Sequence, residues 1–372
     1  MRLGVNALRL SGQRLGIGRY IEYLVKYWDQ FLLPDDRVNL YVRENVDGNQ
    51  LQLSDKFEIK PLRPKLTAVL WEHFVLPAQA KEMDVLFCPS YTMPLNYRGK
   101  CVVATHSVNE VQKGTHPWWY KHTYQPRYRL SALKADKVVV PSASAKSHVQ
   151  EFYGVPAERI EIVPEGAPGF FAPIEDEVVL RETRERYLGA NQPYILFVGK
   201  LSQRRNIPAL LTAFSMLKKE GKIPHKLLLF GPNVLNLPLD KIVAELGIQD
   251  SVVQTDGKLK EHKDIIPIYS AADLYVFPSS YEGFSITLVE AMACGLPVIT
   301  VNRGATREIA DECALMVDDP TPENLAEAMQ TALSTPALMK ELRAKALERA
   351  RLYRYEDTAR LTLDLLRQVA ES

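Results

Sequence analysis

Two carboxylates, Glu282 and Glu290, flank a strand-to-helix junction in the stretch 278–298, PSSYEGFSITLVEAMACGLPV. A strand that ends in a polar, glycine-containing loop leaves backbone N–H groups at its tip. The N-terminus of the helix that follows carries about half a positive charge, so such a junction suits a diphosphate. The spacing predicts a helix from about Thr287 to Cys294, stopped by Gly295 and Pro297. A plainer alternative makes Thr287 and Glu290 a capping box and leaves Glu282 as a solvated loop residue. A second segment, FVGKLSQRRNI at 197–207, sets Lys200, Arg204 and Arg205 where a further helix opens. Cations there oppose the macrodipole, a cost that an anion seated among them would remove; the alternative is a solvated loop with no ligand.

Two weaker signals lie earlier in the chain. Gly16 and Gly18 open an amphipathic helix in LGIGRYIEYLVKYW, and glycines at such a point let the backbone approach a phosphate or sugar closely. A nicotinamide-binding fingerprint fits badly, because Tyr20 and Ile21 stand where its third glycine would be. His106 follows the strand-like run CVVAT, and a single histidine there reads as structural or as catalytic.

The elements that must position these residues follow from periodicity. Seven short runs, RLGVNA, VNLYV, FEIKP, DVLFCPS, CVVATH, KVVVPS and IEIVPEG, alternate with helix-length stretches. After the Pro-rich, acidic FFAPIEDE, the alternation restarts with YILFVG, KLLLFG, VVQTD, DLYVFP, LPVIT and ALMVDD. The pattern predicts two Rossmann-like, doubly wound α/β domains facing each other across a cleft, at 1–169 and 170–354. A C-terminal helix at 355–372 is expected to return to the first domain. In such sheets ligands bind beyond the carboxyl ends of the strands, so the residues just after each strand carry the information.

Bulk properties set limits. A chain of 372 residues, 46% hydrophobic and 24% charged, fits two soluble domains of ordinary size. A net charge of +1 provides no global field for nucleic acid. No run has signal-peptide or membrane-spanning character, so a cytoplasmic protein is expected. Cys88, Cys101, Cys294 and Cys313 form no CxxC pair and read as small buried residues.

The segment EGFSITLVE resembles the E-x7-E signature of glycosyltransferase family 4, retaining enzymes of the GT-B fold, and the resemblance runs through nearly the whole chain. It implies that Glu282 contacts sugar hydroxyls and Glu290 the ribose, with the backbone of Gly283, Phe284, Ser285 and Ile286 facing sugar and phosphates. The family often has Gly at the place of Ser285 and Pro at that of Thr287. The basic segment is similar to the family's phosphate-clamping pair, with Lys200 at the usual Arg position and Arg205 at the usual Lys position. Both exchanges keep charge and change hydrogen-bond geometry. GIGRY is similar to a Gly-rich loop that closes on the donor from the opposite domain. A His-Asp pair commonly occupies the place of His106 and Ser107; without the Asp, the resemblance implies His106 as a hydrogen-bond partner of the sugar. Gly257 and Lys258 match a turn whose main chain reads the nucleobase.

The resemblance therefore implies a hexosyltransferase that moves a hexose-type sugar from a nucleotide diphosphate sugar to a saccharide or lipid-linked acceptor. Relatives of this pattern often build surface polysaccharide, lipopolysaccharide or glycolipid. No D-x-D triplet and no HExxH occur, so neither a metal nor a further cofactor is expected; Lys200, Arg205 and main-chain donors would meet the charge on the departing diphosphate. Two other classes stay open. A hydrolysing nucleotide-sugar epimerase would need further acid/base carboxylates, and a non-catalytic nucleotide-sugar-binding protein would keep the same loops without turnover. The aromatic and basic stretch 115–134 suits peripheral contact with the inner face of an anionic membrane, or else is a packed helix with a solvated basic face.

Overall fold

A computed structural model of the chain describes residues 1–12, 16–44, 46, 51–112 and 118–372. Of the described residues, the first of two compact units comprises Met1–Gln112, 118–168 and Tyr355–Ser372; the second holds Gly169–Arg354.

Seven strands build the first unit: β1 (Arg2–Asn6), β2 (Arg37–Val42), β3 (Phe57–Pro61), β4 (Val85–Cys88), β5 (Cys101–Ala104), β6 (Lys137–Val140) and β7 (Ile160–Ile162). They lie in the order β3-β2-β1-β4-β5-β6-β7, every pairing parallel. The second unit has six: β8 (Tyr194–Val198), β9 (Lys226–Phe230), β10 (Val252–Thr255), β11 (Leu274–Phe277), β12 (Val298–Val301) and β13 (Leu315–Val317). Their order, β10-β9-β8-β11-β12-β13, is again wholly parallel. Helices cover both faces of such sheets, so central strands are apolar along their whole length; β4, β5, β8 and β11 are buried at every position.

The thirteen strands coincide with the thirteen runs read from the sequence. In each sheet the winding reverses between the first and fourth strands, β1 and β4 in one, β8 and β11 in the other. The carboxyl edge at such a reversal point is the place where doubly wound sheets accept ligands.

The last helix, Tyr355–Glu371, belongs to the first unit. Tyr355, Ala359, Leu363 and Leu366 recur at helical spacing and enter the same buried cluster as Leu24, Trp28 and Phe87. Polar contacts fix the register: Trp28 Nε1 donates to the Ala359 carbonyl (2.9 Å), Thr358 Oγ1 to that of Pro164 (2.7 Å), and Arg367 Nη2 to Asp36 Oδ2 (2.9 Å). Burial raises the Asp36 pKa, but the hydrogen bonds it receives, Arg367's first, outweigh that and leave it below its ordinary value.

Residues 115–117 lie outside the described residues; the rest of the stretch flagged above forms the helix Trp118–Lys134. Its C-terminal half is docked, with Ser131 and Ala132 buried and Ser131 Oγ accepting from the Met93 N–H at 3.1 Å. Trp119 and Leu130 are about half exposed. Among the described residues no helix is long and apolar enough to cross a membrane.

Leu366 is fully buried. Truncation by Leu366→Ala is expected to cost about 2–5 kcal/mol. Equilibrium denaturation followed by intrinsic tryptophan fluorescence measures it, and an unchanged midpoint would show that the last helix is not part of the cooperative core.

Candidate functional site

The loops after β8 and β11 meet at the reversal point of the second sheet, and the cations of one close on a carboxylate of the other. Glu282 Oε1 receives Arg204 Nη1 at 2.8 Å, Arg205 Nε at 3.1 Å and Ser279 Oγ at 2.9 Å. Burial pushes the Glu282 pKa up, but the Arg205 and Arg204 guanidiniums and the Ser279 hydroxyl outweigh it and hold the carboxyl below its ordinary value. Glu282 is therefore an anion in place, and Oε2 makes no hydrogen bond among the described residues.

The three cations differ from the sequence expectation in their setting. The helix they were expected to open is Ile207–Lys219, and Asn206 before it adopts left-handed backbone (φ 52°) while its Nδ2 donates to the Pro278 carbonyl at 2.7 Å. Lys200, Arg204 and Arg205 thus lie in the preceding loop, and the anion that pairs with the two arginines is Glu282 itself. Arg205 also donates from Nη1 to the Lys200 carbonyl (3.2 Å) and sits over the buried Phe277 ring, 5.7 Å from its centroid. Its Nη2 makes no hydrogen bond among the described residues, and the Lys200 side chain is exposed.

The helix after the acidic loop runs Ile286–Ala293, one residue earlier than expected, with Cys294 as its C-cap and Gly295 left-handed beyond it (φ 67°). Thr287 and Glu290 form no capping box. Thr287 Oγ1 accepts from Tyr275 OH (3.0 Å), and the Ser285 N-cap makes no side-chain capping bond. The Ser285 hydroxyl is buried without a hydrogen-bond partner and does not cap the first N–H groups of this helix. Phe284 is anchored edge-on against Tyr353, with centroids 5.8 Å apart.

Glu290 is buried, with Oε1 2.8 Å from His262 Nε2 and Oε2 accepting from Tyr269 OH at 2.9 Å. Burial, then the Glu290 charge, raises the Tyr269 pKa well above its ordinary value, so the phenol stays a donor. A carboxylate has about four acceptor positions, of which these two contacts use two. His262 and Tyr269 were not singled out in the sequence; neither belongs to a local motif, and only the fold brings them to Glu290.

Glycines close the floor of the site. Gly199, Gly231 and Gly257 follow β8, β9 and β10, all at positive φ. A Cβ on Gly199 would collide with Arg205 Nη1, and one on Gly231 with the Gly199 carbonyl oxygen. The repeated strand-Gly endings FVG, LFG and TDG were the available signal for Gly199 and Gly231. At Gly257 the turn is self-bonded: Thr255 Oγ1 accepts from its N–H (3.3 Å), and Asp256 Oδ1 from that of Lys258 (3.0 Å).

In the first unit, Gly16 (φ 48°) caps the helix Ile17–Trp28, with Gly18 buried in its first turn. Residues 13–15 of the loop before it lie outside the described residues. His106 was expected as a hydrogen-bond partner of a sugar, yet both its ring nitrogens are used inside the unit. Nδ1 lies 2.7 Å from Glu165 Oε1 and Nε2 2.9 Å from the Pro89 carbonyl. Two acceptors call for two N–H donors. Burial lowers the His106 pKa, but the hydrogen bond and charge of Glu165 and the Pro89 carbonyl overcome it and raise the pKa above its ordinary value. Glu165, after β7, supplies the carboxylate that Ser107 does not; Ser107 Oγ instead meets Tyr91 OH at 3.1 Å.

The sequence matches the Glycosyl transferases group 1 family over residues 181–352 and the Glycosyltransferase Family 4 family over residues 16–168. The chain belongs to the family 4 glycosyltransferases. O-antigen chain mannosyltransferase B of Escherichia coli is 25% identical over 250 residues, 65% of each chain. The serotype-specific mannosyltransferase WbdA of the same species is 27% identical over 243 residues, 64% of this chain and 29% of that protein. The match therefore spans less than two thirds of these curated relatives. Among solved structures, sucrose-phosphate synthase from Thermosynechococcus elongatus superposes with a TM-score of 0.79 at 22% identity, covering 100% of both chains. Anabaena HepE in complex with UDP-glucose gives 0.76 at 17%, covering 100% of this chain and 98% of that one. These likenesses show that this family 4 chain has the GT-B fold.

The raised His106 pKa has a consequence for stability. The contribution of the His106–Glu165 pair is fully present below the unfolded histidine value of about 6.5 and is lost as pH rises through the higher folded value. Glu165→Ala is expected to cost about 1.5–3 kcal/mol at pH 6 and less at pH 9. Denaturation midpoints of both proteins across that range test it, and a pH-independent difference would contradict the charged pair.

Proposed function

We propose that the chain is a metal-independent, retaining glycosyltransferase that moves a hexose-type sugar from a nucleotide diphosphate sugar to a saccharide or lipid-linked acceptor in surface polysaccharide, lipopolysaccharide or glycolipid synthesis. The observation that carries the reading is the ionised Glu282, with Oε2 free, set beside Arg205 and Lys200 at the reversal point of the second sheet. A carboxylate that accepts sugar hydroxyls next to cations that accept a diphosphate is the arrangement a sugar nucleotide needs.

The donor is held by the second unit, Glu290 taking the ribose hydroxyls with its remaining acceptor positions and the turn at Gly257 and Lys258 meeting the base. The acceptor belongs to the first unit. As the bond between the anomeric carbon and the β-phosphate oxygen breaks, the acceptor oxygen bonds to that carbon on the same face, and the departing phosphate takes the acceptor proton. No protein nucleophile is required. Preorganised donors from Lys200, Arg205 and the helix Ile286–Ala293 meet the charge growing on the diphosphate. The mannosyltransferase relatives and the UDP-glucose bound to HepE support a hexose and a nucleotide donor. The half-exposed Trp119 and Leu130, on a helix that also carries Lys121, Arg127 and Arg129, support contact with an anionic membrane beside the acceptor side.

A thermal-shift panel of UDP, GDP, ADP and NAD, with and without EDTA, tests the donor site. One nucleoside diphosphate at ~100 Kd is expected to add ~2.7 kcal/mol irrespective of EDTA. Arg205→Ala should then lower kcat about 10²-fold or more. Stabilisation by NAD alone, or wild-type rates in the variant, would overturn the reading. Sedimentation with phosphatidylserine vesicles at low salt tests the membrane contact: co-sedimentation is expected, and a protein left in the supernatant removes that part.

A further inference from the structure

Of the cations in the loop after β8, Arg204 differs from its neighbours in where its charge is spent. Its Nη1 serves Glu282 Oε1 (2.8 Å), Ser279 Oγ (3.3 Å) and the Tyr281 carbonyl, three acceptors on one short loop. Its own carbonyl accepts from the Ser280 N–H (2.9 Å) and from Ser280 Oγ (2.8 Å), so main chain and side chain both grip residues 279–282. The side chain is only 14% exposed. Lys200 is exposed, and Arg205 divides its donors between Glu282 (Nε, 3.1 Å) and the Lys200 carbonyl (Nη1, 3.2 Å), so among the described residues Arg204 is the one cation of the three whose side-chain contacts all fall on residues 279–282.

We propose that Arg204 is a positioning residue for sugar recognition and takes no part in binding the diphosphate. The inference rests on the donor-site reading given above and assigns a division of labour within it. By saturating Oε1 together with Arg205 and Ser279, Arg204 removes the torsional freedom of the Glu282 carboxylate and turns Oε2, with its two acceptor positions, toward sugar hydroxyls. Lys200 and the outer edge of Arg205 are left for the phosphates. Loss of Arg204 then releases the sugar while the nucleoside diphosphate stays bound.

The test compares each nucleoside diphosphate with its sugar conjugate, using UDP and UDP-glucose, GDP and GDP-mannose, and ADP and ADP-glucose, by thermal shift on the full chain. In the wild type one conjugate is expected to bind more tightly than its parent diphosphate. In Arg204→Met the diphosphate should bind within about twofold of wild type, while the extra affinity of the conjugate falls about tenfold, the worth of one charge-assisted hydrogen bond. Arg204→Lys should recover part of it, and Arg204→Met combined with Glu282→Gln should be no worse than Glu282→Gln alone. If Arg204→Met does not fold, Arg204→Lys carries the comparison, since an ammonium keeps the charge but sits on a shorter side chain without the planar guanidinium fork. A variant whose affinity for the parent diphosphate falls tenfold, or a double variant whose losses simply add, overturns the inference and leaves the proposed function standing. A wild-type chain that binds none of the three diphosphates overturns both.

Discussion

The second unit is organised around one carboxylate oxygen. Glu282 Oε1 collects two guanidiniums and a hydroxyl, and those contacts tie the loop after β8 to the loop after β11. Without them, two arginines and a buried glutamate would each carry an uncompensated charge, a state that costs several kcal/mol once water is excluded. The cluster is therefore structural in the first place. It neutralises the loops enough for them to fold together, and it leaves one oxygen and one guanidinium edge unspent.

That arrangement is possible because of how the sheet is wound. The connections from β8 and β11 leave in opposite directions, so their loops have room at the carboxyl edge, and the backbone there must be thin. Gly199 and Gly231 meet that demand directly. A side chain on Gly199 would displace Arg205, and one on Gly231 would displace Gly199. The glycines are thus coupled to the charge cluster through steric contact.

The first unit uses the same sheet plan for a different purpose. Its buried pair, His106 and Glu165, is closed on itself and links the ends of β4, β5 and β7 through Pro89. Its core is completed by a helix distant in sequence, Tyr355–Glu371, whose apolar stripe packs with Leu24, Trp28 and Phe87. The two units differ in how charge is used: it is spent internally at His106 and held partly in reserve at Glu282.

Much of this was legible in the sequence. Parallel strands buried on both faces must be short, apolar and punctuated, so all thirteen could be read from composition and turn residues, and with them two doubly wound α/β domains; the GT-B fold was implied by the resemblance of EGFSITLVE to family 4. Glu282, Lys200 and Arg205 were legible because they sit on single loops just after strands. What the sequence left open were pairings between residues far apart along the chain. It placed three cations at a helix start but not the anion, 77 residues on from Arg205, that pairs with two of them. It offered a capping box for Glu290, where tertiary packing instead supplies His262 and Tyr269, and it found no acid beside His106, where β7 delivers Glu165. Local spacing fixes backbone conformation because helix and strand periods are local. Which charge meets which is decided by the sheet order, and that exists only once the chain has folded.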